Sequence, residues 1–526
     1  MPLPLQLALW IAGYSCIAAG LGLIAKRPSE TVRHFLYTNR DLPFPVVAFA
    51  FLAVNCSAME VLTMSALSAR YGLYAVHFYW IGAVPAIVFL LLVMLPVYQY
   101  LNARSIPEMM DRRFGRPARI VSALCFCTLM TANSSITLCL FGRLLQMAIG
   151  CSFSAAIFGI ATLAVGFVLT GGLTAVIYGE LIQAVLFVLV LLPLSARLLH
   201  SHNGLHNLLS ELPTGHQHTV RGFPWADLHS PHDLFSTFVG LGLILSFSYW
   251  CTDFLLVQRL LAAHSPKAMR QTPLIALTAK MALPILLLIP GLAAARLYGS
   301  RDEMSFDPTV PRLLLANFSR PAVAFALATL YASLFIAFCG MFTANTAIFV
   351  NDVYAPFLRK AADDKHYLLA SRLFTAAAIG CSLVFAHLAL PSRSLMEELE
   401  FCVGSFSVPL ATALILGLFS PRFSRASAVP AMLVGTLFGI ANRLFGPYIA
   451  YGSNLGGSFY GAIVSCVSTA SIMLLMSIKR TPLIDSGINH KELRQSIRAH
   501  VLGQKAILLY CVASCLVLCT LYIFFS

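Results

Sequence analysis

Charge is what this chain has least of. Only 11% of its 526 residues are Asp, Glu, Lys or Arg, and Asp and Glu together number 21 against 35 Lys and Arg. A soluble domain carries about 25% charged residues, so the deficit excludes one. The common enzyme patterns are missing as well. There is no Cys-x-x-Cys pair for zinc or thiol exchange, no phosphate-cradling Gly-x-x-x-x-Gly-Lys loop, no His-Glu-x-x-His and no Ser-His-Asp pattern. Nothing calls for a cofactor or a resident metal, and the chain does not read as an enzyme. No segment interleaves basic and aromatic residues, which argues against nucleic acid as a partner.

What the chain has in excess is hydrophobic sequence, 59% of its residues, with a mean hydropathy of +0.81. Crossing a hydrocarbon core of about 30 Å takes about 20 apolar residues. Runs of that kind recur fourteen times, at 4–24, 43–67, 75–101, 118–150, 153–170, 174–199, 234–258, 272–297, 321–350, 368–390, 400–419, 427–446, 457–478 and 505–525. The first has no basic n-region and no small-residue cleavage site, so it reads as a retained span rather than a signal. The expected fold class is an all-α polytopic membrane protein with about 14 transmembrane helices. Most of the cysteines, among them Cys125, Cys127, Cys139, Cys251, Cys339 and Cys402, fall inside spans, where they serve as small packing residues.

Lys and Arg in short loops stay cytoplasmic. With the N-terminus outside, the segments 26–42, 102–119, 259–271, 351–372, 420–426 and 479–505 become cytoplasmic and hold 24 of the 35 basic residues. The C-terminus is then outside too. The expected setting is a bacterial inner membrane, the net charge of +14 being a topology signal with some attraction to anionic lipid.

Two polar segments interrupt the spans. Residues 200–233 hold seven of the 14 His, a composition open to metal binding but more simply that of a solvated external loop. The stretch LIDSGINHKELRQSIRAH, within 479–504, suits a short helix on the cytoplasmic surface. Function must therefore sit among the spans. In the second one, Asn55-Cys56-Ser57-Ala58-Met59-Glu60 puts an amide, a hydroxyl and a carboxyl at mid-membrane. Such groups are costly there. They suit either a polar cluster bonding neighbouring helices or a break in the helix that lines a binding cavity.

Seven stretches in order carry a resemblance: RDLPFPVVAFAFLAVNCSA, ARSIPEMMDRRFGRPAR, TGGLTAVIYGELIQ, SYWCTDFLLVQRLLAA, AKMALPILLLIPG, FVNDVYAPF and VPLATALILGLF. Together they resemble the sodium/solute symporter family, the group of sodium-coupled sugar, proline and sialic acid transporters, from about residue 36 to about residue 425. The resemblance implies a leucine-transporter-type core of two inverted five-helix repeats, with solute bound at mid-membrane between broken spans 2 and 7. On that basis 1–42 is the first helix and a loop, 43–199 the first repeat, 200–233 the external loop, 234–419 the second repeat, and 420–526 three further helices.

The resemblance also implies a sodium site built from carbonyls of the broken helix and two adjacent serine hydroxyls. The carbonyls fall on Ala53 and Cys56, beside Asn55. Setting the family's A-S-L-x-S-S-L on Ala332-Ser333-Leu334-Phe335-Ile336-Ala337-Phe338 keeps the first serine and puts Ile336 and Ala337 where the hydroxyls belong. A hard cation wants several oxygens and alkyl groups offer none. The serines of a second sodium site fall on Cys339 and Gly340, with Thr343 and Asn345 the nearest residues able to restore an oxygen. The family's aspartate on the sodium exit route is here Glu180, and a carboxyl in a sodium-free pocket is a candidate proton carrier, as is Glu60. The expected partners are a small-molecule solute, a coupling ion, proton or sodium, and the lipid bilayer.

Around the solute, Glu60 and Glu400 stand where sugar transporters of the family use glutamines, Tyr79 replaces a glutamate beside Trp80, and Asp253 and Lys280 are retained. Glutamine donates and accepts, whereas an ionised glutamate only accepts and adds negative charge. Such a pocket should prefer a cationic or zwitterionic solute. The expected function is import of that solute by alternating access, proton-coupled or uncoupled. The rivals are a conventional sodium symporter with a rearranged site and a transporter-like sensor or partner subunit without net transport.

Overall fold

The structure, a computed structural model, describes residues 2–25, 32–37, 42–220, 223–227, 233–263, 265–298, 309–389, 394–449, 455–478 and 488–525. Its described residues are helical but for connecting turns and one isolated bridge, Leu42 to Ala263. The chain runs through α1 (Leu3–Ala25), α2 (Phe44–Val54), α3 (Ala58–Tyr71), α4 (His77–Phe89), α5 (Arg116–Ile149), α6 (Phe153–Ser201), α7 (Ser246–Thr252), α8 (Phe254–Leu261), α9 (Pro266–Tyr298) and α10 (Arg320–Ile348). It continues through α11 (Asp364–Ala389), α12 (Leu395–Cys402), α13 (Val408–Phe419), α14 (Ala428–Ile449), α15 (Leu455–Ile478), α16 (His490–Gly503) and α17 (Lys505–Phe525). Wider π-helical turns extend α4 beyond Phe89, precede α7, follow α10 and join α12 to α13.

Ten of the described helical stretches are long and apolar enough to cross a membrane, eleven with the bent pair Ser236–Thr252 and Phe254–Leu261. Two of them, Phe44–Leu101 with 58 residues and Phe153–Ser201 with 49, are long enough for two crossings each. Divided in this way the described helices would give thirteen passes, and the shorter apolar helix α1 lies where a fourteenth is expected.

The breaks have local causes. At 55–57 the helix stops: Ser57 is extended (φ −86°, ψ 168°) and α3 restarts after it. The second break is Asp253, extended at φ −71° and ψ 116°, where α7 and α8 bend by 41°. The third is Gly172 in TGGL, at φ +54° and ψ −154°, which turns α6 in mid-course. A side chain there would be strained by its backbone conformation and would lie 2.9 Å from the Phe35 carbonyl.

The IPEMMDRRF stretch forms a helix, Ile106–Phe114, capped by the Ser105 side chain and closed one residue earlier by Glu108. Ser105 accepts from Glu108 N–H at 3.1 Å while Glu108 accepts from Arg104 N–H at 2.8 Å. Its buried Arg113 donates to the carbonyls of Gly417 at 2.7 Å and Phe423 at 2.8 Å, so a cation closes the C-terminal end of α13. The predicted surface helix is α16, capped by Asn489, with Arg494 donating to the Phe419 carbonyl. Both basic segments thus serve the same helix end.

The His-rich segment is fastened rather than free. Thr219 N–H donates to Phe525 O at 3.1 Å, and the Thr219 carbonyl meets His77 Nε2 at 2.8 Å. His216 Nε2 lies 2.9 Å from the Arg70 carbonyl, and burial lowers its pKa, keeping the imidazole neutral. Among the described residues no group of three or more His, Cys, Asp or Glu is arranged to hold a metal. His229 and His232 lie outside the described residues.

Between α3 and α9 the packing depends on small groups. Ser65 Oγ donates to Leu287 O at 3.1 Å and Ser68 Oγ to Leu288 O at 3.3 Å, so the two helices nearly touch. A Cβ on Gly291 would run into the Ser65 carbonyl and lie 2.9 Å from the Ala69 amide nitrogen. Gly291→Val should destabilise the protein by at least ~1–3 kcal/mol through overpacking. Thermal unfolding in detergent checks this, and an unchanged midpoint would refute the close contact.

Candidate functional site

At the first break, three buried residues leave the helix, and their polar groups need other partners. Asn55 N–H donates to Leu52 O at 3.0 Å and Cys56 N–H to Ala53 O at 3.3 Å. The Ala53 carbonyl, expected to face sodium, thus takes a backbone donor from its own turn. Asn55 Nδ2 donates to Phe51 O at 2.8 Å, and its Oδ1 accepts from Tyr249 at 3.2 Å. The Asn55 carbonyl accepts from Lys280 Nζ at 2.5 Å.

Lys280 gathers the cluster. It projects from α9, is 5% exposed, and forms an ion pair with Glu60 on α3. Its ammonium also lies 4.8 Å from the centre of the Tyr79 ring, a cation–π contact. Glu60, Asn55, Tyr79 and Lys280 are therefore one constellation drawn from three helices. Trp80 is not in it: its ring packs on Tyr522 at 5.2 Å and Phe525 at 5.9 Å, against α17. Sequence adjacency to Tyr79 put the two together, but neighbours on a helix point about 100° apart.

Asp253 and Glu400 approach from the other side. Asp253 caps α8, accepting from Leu255 N–H at 2.7 Å. Glu400 is 8% exposed, and neither carboxylate has a cation within ion-pair distance among the described residues. Glu397 and Glu398, its sequence neighbours, are engaged at the helix end with Arg70 at 3.1 Å and with Arg443 respectively. Glu60, Asp253 and Glu400 all act electrostatically on Tyr249, whose hydroxyl donates to Asn55 Oδ1. Sequence reasoning missed Tyr249. Its signal was the spacing of one helical turn before Asp253 in YWCTD.

On α10, Ser333 Oγ accepts from Ala58 N–H at 2.7 Å, so the retained serine bonds the first free amide of α3. Ile336 reaches across to α6: a Cβ on Gly179 would lie 2.6 Å from Ile336 Cδ1. Ala337 adds no oxygen. Thr343 donates to Gly340 O at 2.8 Å and Asn345 to Thr131 on α5 at 3.1 Å, so both polar side chains serve their own helix or its neighbour.

Glu180 also has a partner. Arg259 Nη2 lies 2.5 Å from Glu180 Oε1 and its Nε 3.3 Å from Oε2, and the two residues are 0% and 2% exposed. The other end of the guanidinium donates to Leu255 O and Gln258 Oε1. A Cβ on Gly340 would lie 2.8 Å from Arg259 Nη2 and 3.2 Å from Glu180 Oε1. The glycine where the resemblance sets a sodium-ligating serine thus leaves room for an arginine, and the cation beside Glu180 is part of the chain. The sequence reading counted Arg259 as a loop charge, because it lies just past an apolar run.

Removing one partner of a buried pair leaves the other charge uncompensated, at ~3–5 kcal/mol. Lys280→Met should therefore lower stability more than the double variant Lys280→Met/Glu60→Gln, as read by thermal unfolding. Equal losses would show that the pair is not coupled. Ser333→Ala orphans the Ala58 amide and should cost ~1–3 kcal/mol by the same measurement.

The family model of the sodium:solute symporter family matches residues 35–435. The chain is 24% identical over 428 residues to the Uncharacterized symporter YidK of Escherichia coli (strain K12), covering 79% of this chain and 74% of that protein. It is also 24% identical over 523 residues to Sodium/glucose cotransporter 1 of Ovis aries, covering 89% of this chain and 77% of the relative. A solved structure of a Na+-coupled sialic acid symporter superposes with a TM-score of 0.76 at 16% identity, over 91% of this chain and 98% of that one. The fold is thus the leucine-transporter type, with a core of two inverted five-helix repeats. Matched over most of its length, with the family's motifs in order on this fold, the chain belongs to the sodium:solute symporter family and is a multi-pass membrane transporter rather than an enzyme.

Proposed function

We propose that the protein carries a small polar solute bearing an amine, cationic or zwitterionic, between the broken helices α2/α3 and α7/α8. One observation carries this reading. With Glu60 engaged by Lys280, Glu400 remains near Tyr249 without a cation, and Asp253 beside it feels Arg259 without pairing with it. A buried uncompensated carboxylate is costly, and a bound ammonium relieves it as a neutral sugar does not. Tyr249, Asn55 and Tyr79 supply the hydrogen-bonding and aromatic surfaces that orient such a solute. Rocking of the proposed repeats 43–199 and 234–419 would then give alternating access, a motion this fold class supports.

Coupling on this reading is to protons or absent. The support is Ile336 against Gly179 and the Arg259 guanidinium beside Gly340, which leave alkyl groups and a fixed cation where sodium would need oxygens. Glu180 and Glu60, the two carboxyls expected to carry a proton, each hold a basic side chain. Glu400 and Asp253 are then the carboxyls left for a proton, which would compete with the solute's own charge. Both termini lie outside a bacterial inner membrane, an orientation supported by the distribution of Lys and Arg.

Uptake into proteoliposomes tests this, with labelled amines, amino acids and sugars under a sodium gradient, a proton gradient or neither. Amine-bearing solutes should accumulate without sodium. Glu400→Gln should reduce their uptake roughly tenfold or more, the loss of one charge-assisted contact. Sodium-dependent accumulation of a neutral sugar would overturn both parts of the reading. Saturable binding without accumulation would point to a solute sensor.

A further inference from the structure

A second cavity lies apart from the solute constellation, between α1, α6 and α10. It holds about 640 Å³ of atom-free space, counted out to its open side. Its walls are almost wholly apolar. Three wall residues, Ile17, Leu163 and Ile182, are 51%, 47% and 37% exposed on helices that cross the membrane, so the cavity opens sideways toward hydrocarbon.

Two polar groups in the wall do not fit an apolar crevice. Gln183 is 4% exposed and Tyr331 is 2% exposed, and Gln183 Nε2 and Tyr331 Oη are both buried without a hydrogen-bond partner. The other polar wall groups are satisfied: Tyr14 Oη lies 3.1 Å from Thr329 Oγ1, and Ser15 Oγ donates to Ile11 O at 2.8 Å. An unmade hydrogen bond in a dry site costs several times what a made one contributes. Two donors left open in the wall of an otherwise apolar cavity that faces lipid ask for an acceptor, and a membrane-soluble molecule can deliver one.

We propose that this cavity is a lateral binding site for a lipid-derived molecule with an apolar body and one carbonyl group, the carbonyl oxygen accepting from Gln183 and Tyr331. The site is distinct from the solute path. Gly179 and Ile336 line the cavity too, and they form the wall between it and the Glu180–Arg259 pair. A bound molecule would brace Ile336 against α6.

The test uses the full chain in phosphatidylcholine nanodiscs and two photoreactive probes of equal length, a palmitamide and a hexadecane, each with a mid-chain diazirine. The amide probe should label peptides carrying Ile17, Leu163 or Ile182 more strongly than the alkane probe, and unlabelled palmitamide should compete. Gln183→Leu with Tyr331→Phe should weaken that competition about tenfold or more, as expected for two lost hydrogen bonds, while alkane labelling persists. Ala332→Phe, which fills the cavity from α10, should abolish labelling by both probes there. If the double variant does not fold, Tyr331→Phe alone should weaken competition by about threefold. Equal labelling by amide and alkane in the unaltered protein, or competition unchanged by the polar substitutions, would reduce the cavity to a lipid-filled crevice and overturn the proposal.

Discussion

A helix broken in a medium without water is the constraint on which the rest of this structure depends. Opening the backbone at Asn55, Cys56 and Ser57 frees donors and acceptors that the hydrocarbon cannot satisfy. The Asn55 and Cys56 amides close on their own turn, and the rest of the break is tied to three other helices: Ser333 of α10 takes the Ala58 amide, Lys280 of α9 takes the Asn55 carbonyl, and Tyr249 of α7 takes the Asn55 side chain. The break therefore selects its neighbours. It holds the second half of the core against the first by polar contacts that cannot be exchanged for water.

The same economy governs the charges. Lys280 and Arg259 are each buried against a carboxylate, and each does a second task, Lys280 on the broken backbone and Arg259 on the Leu255 carbonyl. Geometry of this quality is what lets a buried pair persist. What remains after the pairing is two buried carboxyls, Asp253 and Glu400, near Tyr249 with no ion-pair partner among the described residues, and on them the proposed solute site rests.

Small residues decide how closely the helices carrying these groups approach. Gly291 lets α9 lie on the backbone of α3, Gly179 receives Ile336, and Gly340 makes space for a guanidinium. In lipid, helices gain no hydrophobic energy from meeting one another, so close packing and hydrogen bonds carry association. A glycine in these spans is a statement about the residue across from it.

Composition and apolar run length by themselves determined the membrane setting, the number of passes and the helical class, because the cost of placing polar backbone in hydrocarbon leaves few alternatives. The polar run at Asn55 to Glu60 marked the break, and the ordered motifs marked the family. Partnerships were not legible. That Trp80 packs against α17, that Arg259 turns inward to Glu180, and that Tyr249 reaches Asn55 all depend on contacts between residues far apart in sequence. Reading down the chain finds residues that are expensive to bury; only the tertiary structure decides which of them compensate one another, since Coulombic and hydrogen-bonding terms act over a few ångströms of space.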